Sequence, residues 1–488
     1  MQPLKILSIS AEIAPFAKTG GLADVCGALP KALAALGHDV RLVMPAYQSI
    51  EGRCRSGQGS PLITTSPVNL QVPMGTGLVP AGVLESTLPG TEVPVYFIAE
   101  RHRFGDRPHI YGYHDDPFRF SFFSRAALDL VIAALGWRPD VIHVHDWHAA
   151  PAIAWLANSG AHDSRYAGIP TVFTIHNLMH QGTTGWQAFN FLGVRSGKLV
   201  EEKPGEINFM ARGIFHSTMI TTVSPTYAQE IMTREGGFGL DNLLRHRHFD
   251  VHGILNGLDY DVWNPATDTH LVANFTADTL EDRAENKRAL QERLGLAVRP
   301  DVPLAAMVTR LDRQKGLDIT GHVLHQMLNG HGGEAQCVVL GTGTAQYETM
   351  LRHFENHHRG RMCAYIGYDA GLAPLIYAGS DLFLMPSLFE PCGLGQLIAM
   401  RYGSVPLVRT TGGLRDTVRH GVTGFTFDGY SGNAFWHAML EAMHIYRIDQ
   451  ESWQAIQKHG MTSDFSWETS ARAYQQVYEW AIARNRGW

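Results

Sequence analysis

Cysteine is scarce in this chain and gives it no covalent framework. Cys26, Cys54, Cys337, Cys363 and Cys392 are odd in number and scattered over 488 residues, and no CxxC occurs. That usage fits a reduced, cytoplasmic protein better than a secreted one. No apolar run reaches 18 residues, so no transmembrane helix is expected. The first apolar run is interrupted by Ser8, Ser10 and Glu12. It therefore reads as a first strand, Leu4 to Ile9, and not as a signal peptide, and an Arg/Ser-rich transit peptide is missing as well. A basic stripe is also lacking. Forty Lys and Arg against 46 Asp and Glu leave a formal charge of −6, which argues against a binder of nucleic-acid phosphates. A neutral polymer, or a small ligand held by local positive charge, remains allowed. A convincing DxD metal motif is absent.

What is present is a soluble, globular composition, 45% hydrophobic and 18% charged. The length exceeds that at which single cores split, so two domains are expected. The 50 glycines and 24 prolines are spread along the chain and read as turns. Short apolar runs alternate with amphipathic helices. Strand candidates are Lys5–Ile9, Asp39–Met44, Pro94–Ile98, Val141–Val144, Thr171–Thr174 and Met219–Val223, then Pro303–Val308, Cys337–Leu340, Cys363–Ile366, Leu382–Met385 and Pro406–Val408. Alternation of this kind predicts parallel, doubly wound sheets, and two series predict two Rossmann-like domains.

One loop occurs twice. Thr19-Gly20-Gly21-Leu22-Ala23-Asp24 returns 392 positions later as Thr411-Gly412-Gly413-Leu414-Arg415-Asp416. Each follows an apolar run and opens a helix-like one. Paired glycines at such a turn let backbone N–H groups approach a ligand, and a helix start favours negative charge. One loop near each end suggests two α/β halves facing across a cleft. The boundary is expected between Asn256-Gly257-Leu258-Asp259 and Trp263-Asn264-Pro265, giving domains 1–258 and 259–465. Residues 51–90, rich in Gly and Pro, read as an irregular insertion or hairpin. A last helix is expected from an N-cap at Ser466, with Trp467, Ala471, Tyr474, Tyr478 and Ala481 on one apolar stripe that must pack on something. Helix 466–488 is expected to dock back on the first domain, with a hinge near 256–265.

Four clusters carry candidate chemistry. Arg310 and Lys315 follow the strand Pro303–Val308, and ligands of open α/β sheets bind beyond the carboxyl ends of strands. Two cations there suit a diphosphate, Arg as a planar fork and Lys as a compact charge; a solvated turn is the alternative. Glu390, in Phe389-Glu390-Pro391-Cys392-Gly393-Leu394-Gly395-Gln396, sits between a strand and a helix. It is placed to accept hydrogen bonds from sugar hydroxyls, or merely to complement the helix dipole. His143-Val144-His145-Asp146-Trp147-His148 reads as a polar strand end lining the cleft, or as a metal site, since His143 and His145 share a strand face; no distant ligand completes a tetrahedral set. His176 ends Phe173-Thr174-Ile175-His176, and Lys18 adds charge beside Gly20.

Together these segments resemble the bacterial glycogen synthases and the related starch synthases over nearly the whole chain. The match is carried by Lys18–Val25, the HVHDWHA segment 143–149, FTIHN 173–177, TVSPTYAQEI 222–231, Leu255-Asn256-Gly257, Arg310–Gly316, FEPCGLGQ 389–396, Arg409–Thr417 and Asp464–Trp467. The resemblance implies the GT-B architecture, two Rossmann-like domains with the active site between them. It implies transfer of glucose from ADP-glucose to the non-reducing 4-hydroxyl of an α-1,4-glucan such as glycogen or maltooligosaccharides, with retention, no metal or other cofactor, and no nucleic-acid or membrane partner. By the resemblance, Arg310 and Lys315 hold the diphosphate, Glu390 binds the transferred glucose, and His176 lies at its 6-hydroxyl and reacting carbon. Asp146 lines the acceptor side. Lys18, Gly20, Gly21 and Asp24 reach the donor from the first domain, Tyr113 and Asn256 contact the sugar, and Cys392, Gly393 and Leu394 complete the donor site. Departure and attack on one face of the sugar are favoured over a covalent intermediate.

Two positions depart from relatives. A second glutamate often found eight positions after the first is Ile398 here, with Gln396 nearby, a difference that glycogen synthases share. A Phe-Leu-Lys-Ala-Gly segment is replaced by Phe209-Met210-Ala211-Arg212-Gly213. UDP-glucose as donor, a sugar-nucleotide epimerase on the same scaffold and a catalytically silent glucan binder are the competing readings.

Overall fold

The computed structural model describes residues 2–57, 61–195 and 197–485. The chain divides into two compact units, Met1–Gly257 with Trp467–Trp488, and Leu258–Ser466.

The first unit is built on β1 (Lys5–Ile9), β2 (Asp39–Pro45), β3 (Thr64–Met74), β4 (Gly77–Thr87), β5 (Pro94–Ala99), β6 (Val141–His145), β7 (Thr171–Ile175), β8 (Thr183–Gly185), β9 (Glu206–Asn208), β10 (Met219–Thr222) and β11 (Val251–Gly253). Nine of these form one sheet in the order β11-β10-β7-β6-β1-β2-β5-β4-β3, and β8 pairs with β9 separately. The sheet is parallel except where β4 runs antiparallel to β5 and β3. From β1 the chain steps to β2, crosses to the edge at β3 and comes back inward through β4 to β5, then lays β6, β7, β10 and β11 on the other side. The order reverses between β1 and β6, which is the switch point where ligands of such sheets bind.

Residues 51–90 are more regular than their Gly/Pro content suggests. They continue a helix, Gln48–Ser56, and then form the β3–β4 hairpin, two 11-residue strands with Met74 paired to Gly77. A tight turn at Gly75, φ +57°, explains the glycine there. The helix Trp467–Asn485 packs against Gly21–Ala35 and the strands β6, β7 and β10. It buries Trp467, Ala471, Tyr474, Tyr478 and Ala481. Gly257 has no room for a side chain, since a Cβ would lie 2.7 Å from the Trp467 Cα.

The second unit contains β12 (Leu304–Val308), β13 (Gln336–Gly341), β14 (Met362–Ile366), β15 (Leu382–Met385), β16 (Val405–Arg409) and β17 (Phe425–Phe427). They form one parallel sheet ordered β14-β13-β12-β15-β16-β17, with its reversal between β12 and β15. Ala305, Met307, Cys337 and Val339 enter the core on one face, and Leu304, Ala306, Val338 and Leu340 the core on the other. Side chains of a strand alternate between faces, so continuous apolar runs belong to a sheet covered on both sides. β17 and β11, three residues each, are strands that the short apolar runs did not announce.

Candidate active site

In the first unit, the segment after β1 and the ends of β6 and β7 bring the predicted residues to the switch point. Asp146 opens the helix Asp146–Ala157 with φ +53°, a left-handed conformation that few non-glycine residues adopt. Its Oδ1 accepts the His176 backbone N–H at 2.8 Å, tying the end of β6 to the end of β7. Burial pushes the Asp146 carboxyl up to about 7, and backbone hydrogen bonds from His176 and Asn177 only partly oppose that. Beside it, His145 Nδ1 and His176 Nε2 are 3.0 Å apart, and His145 Nε2 lies 3.2 Å from Ser8 Oγ. His143 takes Thr174 Oγ1 at 2.6 Å and Tyr478 Oη at 2.9 Å. Burial holds His143 and His176 down at about 3 and His145 well below the usual imidazole range. These imidazoles are neutral members of a polar ladder across β1, β6 and β7. Among the described residues no group of three or more His, Cys, Asp or Glu side chains is placed to hold a metal ion. The two strand histidines are spent on hydrogen bonds, which accounts for their spacing without a metal. His148, on the following helix, packs against Trp147 and Tyr111 and meets Phe120 edge-on, and its buried Nδ1 has no partner among the described residues.

The strap after β1 carries Lys18, Gly20, Gly21 and Asp24. Lys18 Nζ lies 2.6 Å from Asp24 Oδ1 on the surface. Gly20 has an extended backbone, φ −155°, and a Cβ there would meet nothing within 4 Å. Nothing in the chain itself requires glycine at this position. Glu12, which the sequence reading passed over, fastens the strap: its carboxylate accepts from the Thr19 N–H and O–H, from Gly20 N–H and from Tyr111 O–H. The signal for it was there, a charged residue directly beyond an apolar strand, as with Arg310. Tyr113 lies in the loop of Tyr111, its hydroxyl accepting the His109 N–H at 3.0 Å and its ring faced by Arg107 and Arg119 at 4.7 and 4.8 Å. Asn256 is buried, with its Oδ1 unpartnered among the described residues.

In the second unit, Arg310, Lys315 and Glu390 come together at the carboxyl ends of β12 and β15. Lys315 Nζ is 2.6 Å from Glu390 Oε2, and the same oxygen accepts the Ser387 hydroxyl at 3.0 Å. Arg310 is half-exposed, and its guanidinium reaches Asp312 at 3.2 Å and donates to Gln314 Oε1 at 2.9 Å. Two segments are sewn together here: Leu388 N–H donates to Gln314 C=O at 2.8 Å, and Arg409 donates to the Ser387 and Leu388 carbonyls. Gly316, φ +78°, lets the β12 loop close on Pro386, whose carbonyl oxygen would sit 2.1 Å from a Cβ. Gly393 is left-handed too, φ +76°, and the helix behind it starts at Gly395, with Leu394 as its cap. Cys392 is buried, its carbonyl and that of Gly393 accepting from Gln396 Nε2.

The second glycine loop differs from its echo. Gly412, φ +47°, would put a Cβ 1.9 Å from Glu390 O, and Gly413 one 2.2 Å from Cys392 O. The Gly413 N–H already donates to Glu390 O at 3.1 Å. These glycines serve backbone-to-backbone packing beneath Glu390, and the Gly413 N–H is spent within that packing. Arg212, which stands in the segment where relatives carry lysine, is fully buried and paired through two nitrogens with Glu202 at 2.7 and 2.6 Å. It is a structural ion pair.

Two doubly wound sheets, one parallel and one parallel but for its β4 pairings, each with its charged or polar candidates beyond the strand ends at a switch point, define a glycosyltransferase of the GT-B class. Residues 5–246 match the starch synthase catalytic domain, and residues 291–459 match glycosyl transferases group 1. The chain is 42% identical to the glycogen synthase of Moorella thermoacetica over 99% of its own length and 98% of the relative's. It is 43% identical to glycogen synthase 2 of Geobacter sulfurreducens over 99% and 100%. The solved catalytic domain of starch synthase IV from Arabidopsis thaliana, bound to ADP and acarbose, superimposes with a TM-score of 0.90 at 35% identity, covering 99% of this chain and 100% of that one. A sucrose-phosphate synthase from Thermosynechococcus elongatus, 17% identical with a TM-score of 0.60, shares the fold. The chain belongs to the glycogen and starch synthase family of glycosyltransferases. No helix among the described residues is long and apolar enough to cross a membrane.

Proposed function

We propose that this enzyme transfers glucose from ADP-glucose to the 4-hydroxyl at the non-reducing end of an α-1,4-glucan, with retention at the anomeric carbon and release of ADP. The observation that carries the reading is the Lys315–Glu390 pair, 2.6 Å apart at the switch point of a parallel sheet, with the half-exposed Arg310 on the same loop as Lys315. Transfer breaks a C–O bond to a diphosphate, so negative charge grows on the leaving ADP while positive charge grows on the sugar ring. Fixed cations on one end and a carboxylate on the other stabilise both without reorganisation. In this scheme Arg310 and Lys315 take the diphosphate, and Glu390, held by Ser387 and Lys315, takes the glucose hydroxyls. Gly393 and Leu394, with Cys392 beneath them, shape the donor site.

In the first unit, His176 meets the glucose, Asp146 lines the acceptor side, and Lys18, Gly20, Gly21 and Asp24 meet the donor. Tyr113 and Asn256 are assigned to the sugar, the unpartnered Oδ1 of Asn256 being suited to a ligand hydroxyl. The cations supply the charge that a metal supplies elsewhere, so no metal is part of the proposal, and the reaction is placed in the cytoplasm. Nothing in the comparisons supports the epimerase, the silent binder or UDP-glucose as donor. The test is ADP release from ADP-glucose with glycogen, run beside UDP-glucose. Lys315→Ala and Glu390→Ala are each expected to lower turnover by at least about a hundredfold, the loss typical when an electrostatic contact to the transition state is removed. Undiminished turnover in both variants rejects the site.

A further inference from the structure

We propose that Glu12 is the positioning residue that sets the Lys18–Gly21 strap for the donor, an inference that rests on the function proposed above. A carboxylate offers about four acceptor positions, and Glu12 fills all four with one structural task. One oxygen takes the Thr19 and Gly20 backbone N–H groups, and the other takes the Thr19 hydroxyl and the Tyr111 hydroxyl. The residue is buried, at 3% exposure, and none of these four donors is a cation, so the carboxylate is not placed here to neutralise one.

Its own backbone is fixed from below. Ser10 Oγ donates to the Glu12 carbonyl at 2.8 Å, Glu12 N–H donates back to Ser10 Oγ at 3.2 Å, and Tyr47 O–H donates to Ala11 O at 2.8 Å. Tyr111 is fixed as well, its ring stacked on His148 at 4.5 Å and on Phe120 at 5.9 Å. Burial and the nearby Glu12 charge raise the Tyr111 phenol well above its ordinary value, so it stays a donor. The carboxylate therefore joins two anchored points to the strap at Thr19 and Gly20. Lys18 pairs with Asp24 on the surface, and among the described residues nothing lies within 4 Å of where a Gly20 side chain would stand. A strap held at Thr19 and Gly20 fixes where Lys18 leaves the chain and where the helix Gly21–Ala35 begins, and these are the groups assigned to the donor.

The substitutions that separate positioning from charge are Glu12→Ala and Glu12→Gln. Glutamine keeps an oxygen for the two N–H groups, and its amide donates to the two hydroxyls, which rotate to accept. Alanine removes all four contacts. ADP binding by calorimetry, KM for ADP-glucose and KM for glycogen are measured with the melting temperature. Expected are a tenfold or greater rise in the ADP dissociation constant and donor KM for Glu12→Ala, with glycogen KM unchanged within twofold, and rescue to within about threefold of the parent in Glu12→Gln. Tyr111→Phe keeps the ring packing and deletes one donor. It is expected to move donor affinity about threefold in the same direction at an unchanged melting temperature, and it serves where Glu12→Ala fails to fold. Equal losses in Glu12→Ala and Glu12→Gln overturn positioning in favour of charge. Parent-like ADP affinity in both Glu12→Ala and Tyr111→Phe overturns it outright. A parent enzyme that turns over UDP-glucose and not ADP-glucose instead refutes the donor assignment, and the variants are then compared with UDP.

Discussion

Replacing Asp146 by asparagine should make the protein more stable at neutral and alkaline pH while destroying its activity. The carboxyl is buried at the start of a helix and titrates near 7 in place of the ordinary 3.8. Between about pH 4 and pH 7 the unfolded chain has released this proton while the native state still holds it. The native state then binds more protons, so stability falls as pH rises through that window, and above about pH 7 the whole penalty is present. Three pH units at 1.36 kcal/mol each come to about 4 kcal/mol. Asparagine removes the charge and keeps the Oδ1 that accepts the His176 N–H. It also tolerates the left-handed backbone, φ +53°, better than most residues. At roughly 2 °C per kcal/mol for a unit of this size, Asp146→Asn should raise the melting temperature by about 8 °C at pH 8 and by almost nothing at pH 4. Thermal unfolding followed by circular dichroism across pH 4–8 measures both. Parent and variant curves that run parallel across that range would falsify the claim that a strained, desolvated carboxylate is held here at the expense of stability.

The polar ladder makes the opposite demand in acid. His143, His145 and His176 are neutral in the native state and each gains a proton on unfolding below about pH 6.5. Offset by the one proton of Asp146, they should give a loss of about 3 kcal/mol per pH unit between pH 6 and 4, steepening to about 4 in Asp146→Asn; urea titrations giving a flat stability there contradict the assignment. Gly412→Ala must push a Cβ into the Glu390 carbonyl and is expected to lower both stability and turnover. Gly20→Ala meets no atom of the chain and should cost at most about 1 kcal/mol as a helix-cap change, so a large rise in donor KM at a nearly parental melting temperature would register a ligand passing there. Arg212→Ala strands a fully buried Glu202 charge and should destabilise by about 3–5 kcal/mol, measurable by denaturant unfolding, with donor and acceptor KM values unaltered in the folded fraction.

Much of the fold was legible because its strands are covered on both faces. Leu304–Val308 and Cys337–Leu340 are apolar throughout, since alternate residues feed two cores. Such runs announce a parallel sheet by themselves. Among the strands that went unread, Val251–Gly253 and Phe425–Phe427 are three-residue pieces at sheet edges and Thr183–Gly185 and Glu206–Asn208 pair only with each other, so a neighbour is missing and the local sequence need not be continuously apolar. The stretch 51–90 was legible only as a choice between an irregular insertion and a hairpin, and the hairpin is what forms. Its glycines and prolines punctuate a long hairpin and a helix end, and composition does not distinguish a turn within a hairpin from an irregular loop.

The site was legible where chemistry stands directly after a strand and illegible where it depends on what meets what. Arg310, Lys315 and Glu390 could be nominated from position alone, but the 2.6 Å contact between residues 75 positions apart is a product of the β12–β15 pairing. Glu12 shows the limit more sharply. In sequence it is a polar interruption after an apolar run; only the return of residues 19, 20 and 111 to the same point reveals four donors converging on it. The two glycine loops make the same argument from the other side. Identical spelling at Gly20-Gly21 and Gly412-Gly413 conceals different causes, because Gly412 and Gly413 are required by the Glu390–Cys392 backbone lying against them, while around Gly20 the chain leaves space. A glycine that its own protein does not need is the stronger pointer to a ligand, and that distinction exists only in three dimensions.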